Sequence, residues 1–174
     1  MRVISGIYKG KNLQGFDIDG TRPTMDRVKE SLMAMIQSYI PDSVCLDLFA
    51  GSGSLGIEAI SNGALECTFC DNNDIAIKTI KENTKMIKEN IYINKTDYEY
   101  FLNNTNKKFD IIFLDPPYRL SLINKCLEII SKNNLLTDDG IIVLEYENEN
   151  INPLNYEIFK EKKYGSKKVM ILKK

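Results

Sequence analysis

Short apolar runs alternate with amphipathic stretches along most of this chain. The runs have the length of buried strands, and the stretches between them carry apolar residues at helical spacing. This alternation predicts an α/β domain in which helices cover both faces of a parallel sheet and the crossovers are right-handed. The predicted strands are Val44 to Phe49, Cys67 to Cys70, Tyr92 to Lys95, Phe109 to Leu114 and Ile141 to Leu144, and the predicted helices are Leu55 to Ile60, Ile75 to Ile87, Tyr98 to Leu102 and Leu122 to Ile130.

The two ends of the chain follow other patterns. Apolar residues recur at helical spacing from Thr24, the predicted N-cap, to Tyr39. Residues 1–22 alternate weakly and contain several glycines, so they predict a small N-terminal hairpin in front of a main domain at 23–174. Near the other end, two runs around a Gly-Ser turn predict a closing hairpin. These runs are Tyr156 to Phe159 and Lys168 to Leu172.

Composition narrows the class of protein. With 174 residues and 43% hydrophobic content, the chain is large enough for one domain with a substantial core. It has no apolar run of membrane-spanning length and no apolar leader, so we expect a cytoplasmic protein. It has no histidine, the commonest general base and metal ligand, and we expect no metal site. The four cysteines are too scattered for a disulfide framework and are predicted to be buried thiols: Cys45, Cys67, Cys70 and Cys126.

Charge is distributed unevenly along the chain. The net charge is −1, but residues 1–15 carry +3, residues 160–174 carry +6 and the middle carries −10. Basic termini on either side of an acidic middle segment favour a protein that binds a polyanion along one face and a cationic ligand elsewhere. Lysines that only keep the surface soluble are the alternative explanation.

A glycine-rich segment follows the first predicted strand. The residues from Asp47 to Gly56 contain the spacing G-x-G-x-x-G at a strand-to-helix junction, where glycines allow a tight turn and close approach of a nucleotide-like ligand. The spacing alone does not distinguish a dinucleotide from another adenosine ligand. Asp47 distinguishes the two ligands, because its carboxylate would repel a pyrophosphate but attract the cationic groups of S-adenosylmethionine. A turn-capping role for Asp47 is the alternative.

Two more aspartates follow the next two predicted strands. Asp71 comes twenty residues after Gly51, where it can accept hydrogen bonds from ribose hydroxyls. Asp97 can accept from an adenine amino group, and a helix N-cap explains it equally well. Ligands of parallel sheets bind at the carboxyl ends of the strands, so we expect these residues to share one edge of the sheet.

The most informative motif is Asp115-Pro116-Pro117-Tyr118, directly after the fourth predicted strand. Asp115 can accept a hydrogen bond from an exocyclic amine, and Pro116 offers a carbonyl at a fixed angle because both ring φ angles are locked. Tyr118 supplies a face on which an unstacked base can lie. The motif therefore predicts a site that holds the amine of a nucleobase, and a proline-rich turn without such a role is the alternative.

Together, these motifs resemble a Rossmann-type S-adenosylmethionine-dependent methyltransferase that acts on a nucleobase amine. Two N-terminal stretches make the resemblance more specific, because they are similar to the bacterial family that methylates N2 of a guanine in 16S ribosomal RNA. They are Arg2-Val3-Ile4-Ser5-Gly6 and Thr21-Arg22-Pro23-Thr24-Met25-Asp26-Arg27-Val28. The resemblance implies a seven-stranded, mostly parallel Rossmann-like sheet with helices on both faces and an antiparallel last strand.

The motifs and the resemblance together predict the functional residues. Cofactor contacts are expected from Asp47, Phe49, Gly51, Ser52, Gly53, Asp71, Asn72 and Asp97, and handling of the target amine from Asp115, Pro116, Pro117 and Tyr118. The residues expected against RNA are Arg2, Lys9, Lys11, Arg22 and Arg27. The implied partner is 16S ribosomal RNA in a small-subunit particle, and a monomer is the expected state.

Three other functions remain open at this point. A DNA adenine-N6 methyltransferase uses the same kind of amine-holding motif, although 174 residues leave no room for a separate target-recognition domain. A nicotinamide-dependent oxidoreductase uses a glycine loop but explains neither Asp47 nor the Asp-Pro-Pro-Tyr motif. A catalytically silent RNA-binding protein retains RNA and transfers no methyl group.

Overall fold

The computed structural model describes residues 1–15, 22–117 and 120–174, with the backbone alone at 22–25. The helices in these ranges are α1 (Arg22–Ile36), α2 (Ser54–Ser61), α3 (Asp74–Asn83), α4 (Tyr98–Asn104) and α5 (Ile123–Lys132), with a short 3-10 turn at Gln37–Tyr39. The strands are β1 (Val44–Asp47), β2 (Glu66–Asp71), β3 (Asn90–Lys95), β4 (Phe109–Leu114), β5 (Leu136–Tyr146), β6 (Glu157–Tyr164) and β7 (Lys167–Lys173). None of the helices in the described ranges is long and apolar enough to cross a bilayer.

The seven strands of the described chain form one sheet in the order β3-β2-β1-β4-β5-β7-β6. The first five in that order run parallel, and β7 is antiparallel to both β5 and β6. The predicted mostly parallel sheet with an antiparallel last strand is therefore confirmed. Strand order reverses direction between β1 and β4, and α/β sheets bind their ligands at such switch points.

The sheet is buried on both faces because side chains alternate along each strand. One face packs against α1, α2 and α3 and includes Cys67 and Phe113. The other face packs against α4 and α5 and includes Cys70 and Leu114. Cys67 and Cys70 therefore point to opposite faces, as residues three apart on a strand must. All four cysteines are buried free thiols, which confirms the prediction.

Several element boundaries differ from the predicted ones. The first helix begins at Arg22 rather than Thr24, because Pro23 fits the first turn of a helix, where its missing N–H is not needed. β1 ends at Asp47, earlier than predicted, because the glycine loop begins there. α3 also ends early, where the hydroxyl of Thr84 bonds back to the helix. β5 and β6 are longer than predicted, because polar residues at their ends still pair with neighbouring strands.

The first fifteen residues form a small hairpin that lies against the main body. Backbone hydrogen bonds join its arms, from Val3 N–H to the Lys11 carbonyl (2.9 Å) and from Leu13 N–H to the Met1 carbonyl (2.9 Å). The side chains of Val3 and Leu13 are buried in the core. The predicted domain boundary after residue 22 stays a prediction, because the connecting residues lie outside the described ranges.

A buried carboxylate on α2 anchors this N-terminal hairpin. Glu58 is fully buried, and its Oε1 accepts from the N–H of Ile4 (2.5 Å) and pairs with the ammonium of Lys29 (3.1 Å). Lys29 in turn donates to the carbonyl of Arg2 (2.9 Å). A buried ion pair destabilises a fold unless further hydrogen bonds surround it. The hairpin backbone supplies two such bonds, from the Ile4 N–H and to the Arg2 carbonyl, while Oε2 of Glu58 has no hydrogen-bond partner among the described residues.

The tip of the N-terminal hairpin is fixed at the C-terminal end of α2. The N–H of Ile7 donates to the Ser61 carbonyl (2.8 Å), and the Ser61 hydroxyl donates to the Ser5 carbonyl (2.5 Å). Between these contacts, Gly6 has a φ of +78°, and a Cβ on it would lie 1.7 Å from the Ser61 carbonyl oxygen. This approach of the two backbones therefore requires glycine.

Replacing Gly6 by alanine is expected to detach the N-terminal hairpin. Gly10 offers a matched control, because its φ is +85° but a Cβ there would meet nothing within 4 Å. Gly10→Ala should lower the free energy of unfolding by about 1 kcal/mol through backbone strain. Gly6→Ala should lower it by at least about 2 kcal/mol more, because the clash also breaks hydrogen bonds. Urea denaturation measures both losses, and equal losses would contradict the steric argument.

Candidate active site

Three aspartates meet at the carboxyl edge of the sheet. Asp47, the last residue of β1, is in register with Phe69 on β2 and Phe113 on β4. Asp71 and Asp115 each follow these partners by two residues on the flanking strands. Because adjacent strands lie about 4.8 Å apart, the three residues occupy neighbouring strand ends. The register therefore brings the glycine loop and the start of the Asp-Pro-Pro-Tyr motif to the same stretch of the sheet edge.

The loop between β1 and α2 is held by backbone hydrogen bonds, one to β2 and one within the loop. The N–H of Ala50 donates to the Cys70 carbonyl (2.9 Å), and the N–H of Gly53 donates to the Ala50 carbonyl (2.6 Å). Gly51 and Gly53 have φ angles of +54° and +77°, a conformation that glycine adopts with little strain. α2 begins at Ser54, immediately after this turn, so its first turn starts at the site.

The third glycine of the motif has a packing role. A Cβ on Gly56 would lie 2.4 Å from the ring of Phe69 and 2.6 Å from the sulfur of Cys67. The absence of a side chain therefore lets α2 approach β2 closely, as the third glycine of this motif permits. The same approach brings the N–H of Gly56 to 3.0 Å from Oδ2 of Asp47.

Asp47 is a buried carboxylate, with 2% of its surface exposed. Burial raises its pKa from 3.8 to about 7; the hydrogen bond from Gly56 opposes this rise, and the nearby charge of Asp71 adds to it. The bond to Gly56 shows that Asp47 does cap the turn. A carboxylate in these surroundings also favours a bound cation, because a positive charge stabilises its ionised form. The two roles considered for Asp47 are therefore compatible.

Asp71 ties the end of β2 to the glycine loop. Its Oδ2 accepts from the N–H of Gly51 (2.9 Å), and its Oδ1 accepts from the N–H of Asn73 (2.9 Å). Asp71 is partly exposed, and the neighbouring Asn72 is exposed. Each carboxylate oxygen can accept more than one hydrogen bond, so Asp71 can still accept a bond from a ribose hydroxyl.

Phe49 belongs to the loop and packs on the face of the sheet that α4 covers, and Asp97 directly precedes α4. Oδ1 of Asp97 accepts from the N–H groups of Glu99 (2.8 Å) and Tyr100 (3.3 Å), so Asp97 is the N-cap of α4. A contact of Asp97 with adenine stays a prediction. Phe49 is half-buried against Tyr98, with their ring centroids 5.5 Å apart.

The Asp-Pro-Pro segment follows β4 directly. Asp115 is half-buried, Pro116 is buried and Pro117 is exposed. The carbonyl of Pro117 accepts from the N–H of Leu120 (3.0 Å), so the turn uses this carbonyl. The role of the Pro116 carbonyl as the backbone acceptor for an amine stays a prediction. Tyr118 lies outside the described residues.

The residues predicted to contact RNA belong to the N-terminal hairpin and to α1. Four of them are exposed: Arg2, Lys9, Lys11 and Arg27. The side chain of Arg22 lies outside the described part of the chain. Lys9 belongs to the hairpin tip, which is held at the end of α2 farther from the glycine loop. The base of the hairpin approaches the loop, where the sulfur of Met1 lies 3.8 Å from the hydroxyl of Ser52.

The motifs do not reveal Asn83, which connects the hairpin to the loop. Its side chain is 5% exposed. It accepts from the Gln14 N–H (2.8 Å) and donates to the carbonyls of Gln14 (2.9 Å) and Ser52 (2.9 Å). One amide therefore supports the N-terminal hairpin and the predicted cofactor loop together. The sequence signal was a polar residue within the apolar stripe of α3, three positions after Ile80.

Several known proteins have sequences similar to that of this chain. The family described as Conserved hypothetical protein 95 matches residues 1–173. The ribosomal RNA small subunit methyltransferase D of Haemophilus influenzae is 36% identical over 172 residues, which cover 95% of this chain and 89% of that protein. A tRNA (guanine(26)-N(2))-dimethyltransferase of Methanococcus maripaludis is 30% identical over 168 residues, which cover 86% of this chain and 44% of that protein.

A solved structure from Escherichia coli, described provisionally as a methyltransferase, has the same fold. Its TM-score is 0.89 at 31% identity, and the match covers 100% of this chain and 97% of that chain. The similarity therefore includes the sheet edge on which the three aspartates lie.

Asp47 is expected to make the stability of the ligand-free protein depend on pH. Its pKa is raised from 3.8 to about 7 in the folded state, so between these values the folded form binds the proton and the unfolded form does not. This group's contribution should therefore lower the free energy of unfolding as pH rises from about 4 to about 7, by at most roughly 1.4 kcal/mol per pH unit. Asp47→Asn keeps an acceptor for Gly56 and should remove that slope. Urea titrations of both proteins at intervals from about pH 5 to about pH 8 measure the difference, and parallel curves would contradict the assignment.

Asn83→Ala is expected to weaken binding of S-adenosylmethionine, the cofactor predicted from the sequence. Loss of the hydrogen bond to Ser52 should loosen the loop and raise the dissociation constant roughly three- to tenfold. Gln14→Ala is the matched control, because Gln14 bonds Asn83 through its backbone and the change leaves those bonds in place. Calorimetric titration well below the melting temperature measures both variants. Equal affinities for Asn83→Ala and the unmodified protein would remove Asn83 from the support of the loop.

Proposed function

The chain belongs to the family described as Conserved hypothetical protein 95, and from this premise we propose that it transfers a methyl group from S-adenosylmethionine to the N2 amine of a guanine in 16S ribosomal RNA. The substrate is a small-subunit particle, and the enzyme acts as a monomer in the cytoplasm. The observation that carries the proposal is the register of β1 with β4, which aligns Asp47 with Phe113, two residues before Asp115.

The residues around the glycine loop suit S-adenosylmethionine. This cofactor has an ammonium and a sulfonium but no phosphate, and Asp47 is a buried carboxylate that forms no ion pair with any described residue. Gly51 and Gly53 allow close approach of the backbone, and the partly exposed Asp71 accepts from the ribose. A pyrophosphate would meet the Asp47 carboxylate, which argues against a nicotinamide dinucleotide and against the oxidoreductase alternative.

The reaction needs little chemistry from the protein beyond orientation. Bound S-adenosylmethionine supplies a methyl group on a positively charged sulfur, and that sulfur leaves as a neutral thioether when the amine nitrogen attacks. Asp115 and the Pro116 carbonyl each accept one N–H of the guanine amine and hold its lone pair out of conjugation with the ring. Asp115 then takes a proton as the nitrogen becomes positive. Orientation of this kind contributes about 7 to 11 kcal/mol in favourable cases, so no histidine is required.

The guanine has to leave its stack to reach the end of β4. Tyr118 is the side chain proposed to receive it, and stacking of a base on an aromatic ring contributes about 1 to 3 kcal/mol. Basic side chains contact phosphates and fix the position of the RNA, while the pocket reads the base. The residues proposed for these phosphate contacts are Arg2, Lys9, Lys11, Arg22 and Arg27.

The names of two relatives support this substrate. That of the Haemophilus influenzae protein specifies ribosomal RNA of the small subunit, and that of the Methanococcus maripaludis protein specifies N2 of a guanine. In combination with a motif suited to an exocyclic amine, these names favour guanine N2 over adenine N6 and RNA over DNA.

Asp115→Ala is expected to stop methyl transfer while cofactor binding is retained. Loss of the amine acceptor and proton acceptor should lower kcat by at least about a hundredfold. Asp138→Ala is the matched control, since Asp138 is 93% exposed and lies near the start of β5, at the opposite edge of the sheet. Transfer of labelled methyl groups gives kcat, and calorimetry gives the cofactor affinity. Undiminished turnover by Asp115→Ala would refute its role.

The substrate is tested by incubating the protein with labelled S-adenosylmethionine and three acceptors. These are naked 16S ribosomal RNA, assembled small subunits and duplex DNA, each followed by nucleoside analysis. The proposal expects label in N2-methylguanosine from the small subunit. Label in N6-methyladenine of DNA would support the DNA alternative, and RNA retention without label would support a silent binding protein.

A further inference from the structure

The turn between β6 and β7 lies at the same edge of the sheet as the candidate active site. Leu114, the last residue of β4, is in register with Leu144 on β5, which is in register with Met170 on β7. On the antiparallel strand β7, Lys168 precedes Met170 by two residues, in the direction of the site edge. Pro116 follows Leu114 by two residues in the same direction. Lys168 and Pro116 therefore belong to the same row across the sheet.

Two lysines face each other across this turn. Lys163 on β6 is in register with Lys168 on β7. Like charges directly opposite each other on antiparallel strands repel and destabilise the pairing. The ammonium of Lys168 lies 5.5 Å from the ring centroid of Tyr146. Within the described part of the chain, neither lysine forms an ion pair with a carboxylate.

The carboxylates close to this turn interact with other side chains. Glu145 pairs with Lys167 (2.7 Å), Glu147 accepts from the hydroxyl of Ser166 (3.1 Å), and Glu161 accepts from the hydroxyl of Tyr146 (2.7 Å). None of these contacts pairs a carboxylate with Lys163 or Lys168, so the two ammonium groups lie next to each other without a direct ion-pair partner among the described residues. An anion between the two ammonium groups would relieve their repulsion.

We propose that Lys163 and Lys168 bind backbone phosphates of the RNA next to the target nucleotide. The inference rests on the proposed function and adds a second RNA-binding surface to the N-terminal one. β7 and β6 are two and three strand spacings from β4, or roughly 10 and 14 Å from the amine-holding turn. Phosphates that flank an extruded nucleotide lie within this range. Contacts of this kind fix the position of the RNA without reading its sequence.

The location distinguishes this pair from other basic residues. Lys9 lies in the tip of the N-terminal hairpin, at the end of α2 farther from the glycine loop. Lys163 and Lys168, in contrast, lie on the row that begins at Pro116. A phosphate bound there belongs to a nucleotide next to the reacting amine. The pair therefore fixes the position of the target nucleotide, in addition to attracting RNA to the protein.

The test compares Lys163→Gln/Lys168→Gln with Lys108→Gln/Lys132→Gln. Lys108 and Lys132 are exposed lysines at the start of β4 and the end of α5, at the opposite edge of the sheet, so the charge change is matched. Methyl transfer to small subunits or 16S ribosomal RNA, whichever the unmodified enzyme accepts, is measured at several salt concentrations. Cofactor affinity is measured alongside, and Lys163→Gln alone serves if the double variant folds poorly.

The proposal expects a loss confined to the first variant. Its kcat/KM should fall tenfold or more at low salt, and the slope of log kcat/KM against log salt should become shallower by about 1.4 to 1.8, because two phosphate contacts are lost. Cofactor affinity and the Lys108→Gln/Lys132→Gln variant should be unchanged. An unchanged slope, or equal losses in both double variants, would overturn the proposal. Absence of RNA methylation by the unmodified enzyme would instead overturn the proposed function, and with it the RNA partner of this pair.

Discussion

The parallel alignment of β1 with β2 and β4 is the constraint on which the site depends. In this register, Asp47 lies level with Phe69 and Phe113, next to the N–H of Gly56. If the register shifted by one residue, Asp47 would point to the opposite face of the sheet. The apolar residues on either side of it would then also point to the wrong face. Burial of both faces therefore determines where the acidic strand ends meet. The positions of the glycine loop, Asp71 and the Asp-Pro-Pro turn all follow from that register.

Buried polar groups extend this constraint to the N-terminal hairpin. Glu58 and Lys29 form an ion pair that also bonds to the hairpin backbone, and Asn83 divides its hydrogen bonds between the hairpin and the glycine loop. Groups of this kind are strongly destabilising when one partner is removed. Of these side chains, Asn83 supports both the hairpin, which is proposed to contact RNA, and the loop, which is proposed to contact the cofactor. We therefore expect a change at the hairpin base to affect the loop through the bonds of Asn83.

The fold and the meeting of the three aspartates at one sheet edge could be predicted from the sequence, because apolar runs locate parallel strands and ligands bind at their carboxyl ends. The predicted family resemblance is confirmed by the match over residues 1–173 and by the Haemophilus influenzae relative. Element ends were less predictable, since α1 begins at Arg22 and α3 ends before Ile87 for reasons of local hydrogen bonding. Asn83 and the Lys163–Lys168 pair could not be found from motifs, because their surroundings arise only when distant segments pack.

The anchoring of the N-terminal hairpin has a consequence for synthesis of the chain. Ile4 bonds to Glu58, 54 residues later, and Tyr8 bonds to Glu89, 81 residues later. Because translation proceeds at about 5 to 20 residues per second, the last of these partners is made roughly 4 to 16 seconds after the hairpin itself. Until then, the apolar side chains of Val3 and Leu13 have no core to enter and remain accessible on the nascent chain. The hairpin is thus synthesised well before the side chains that hold it in place.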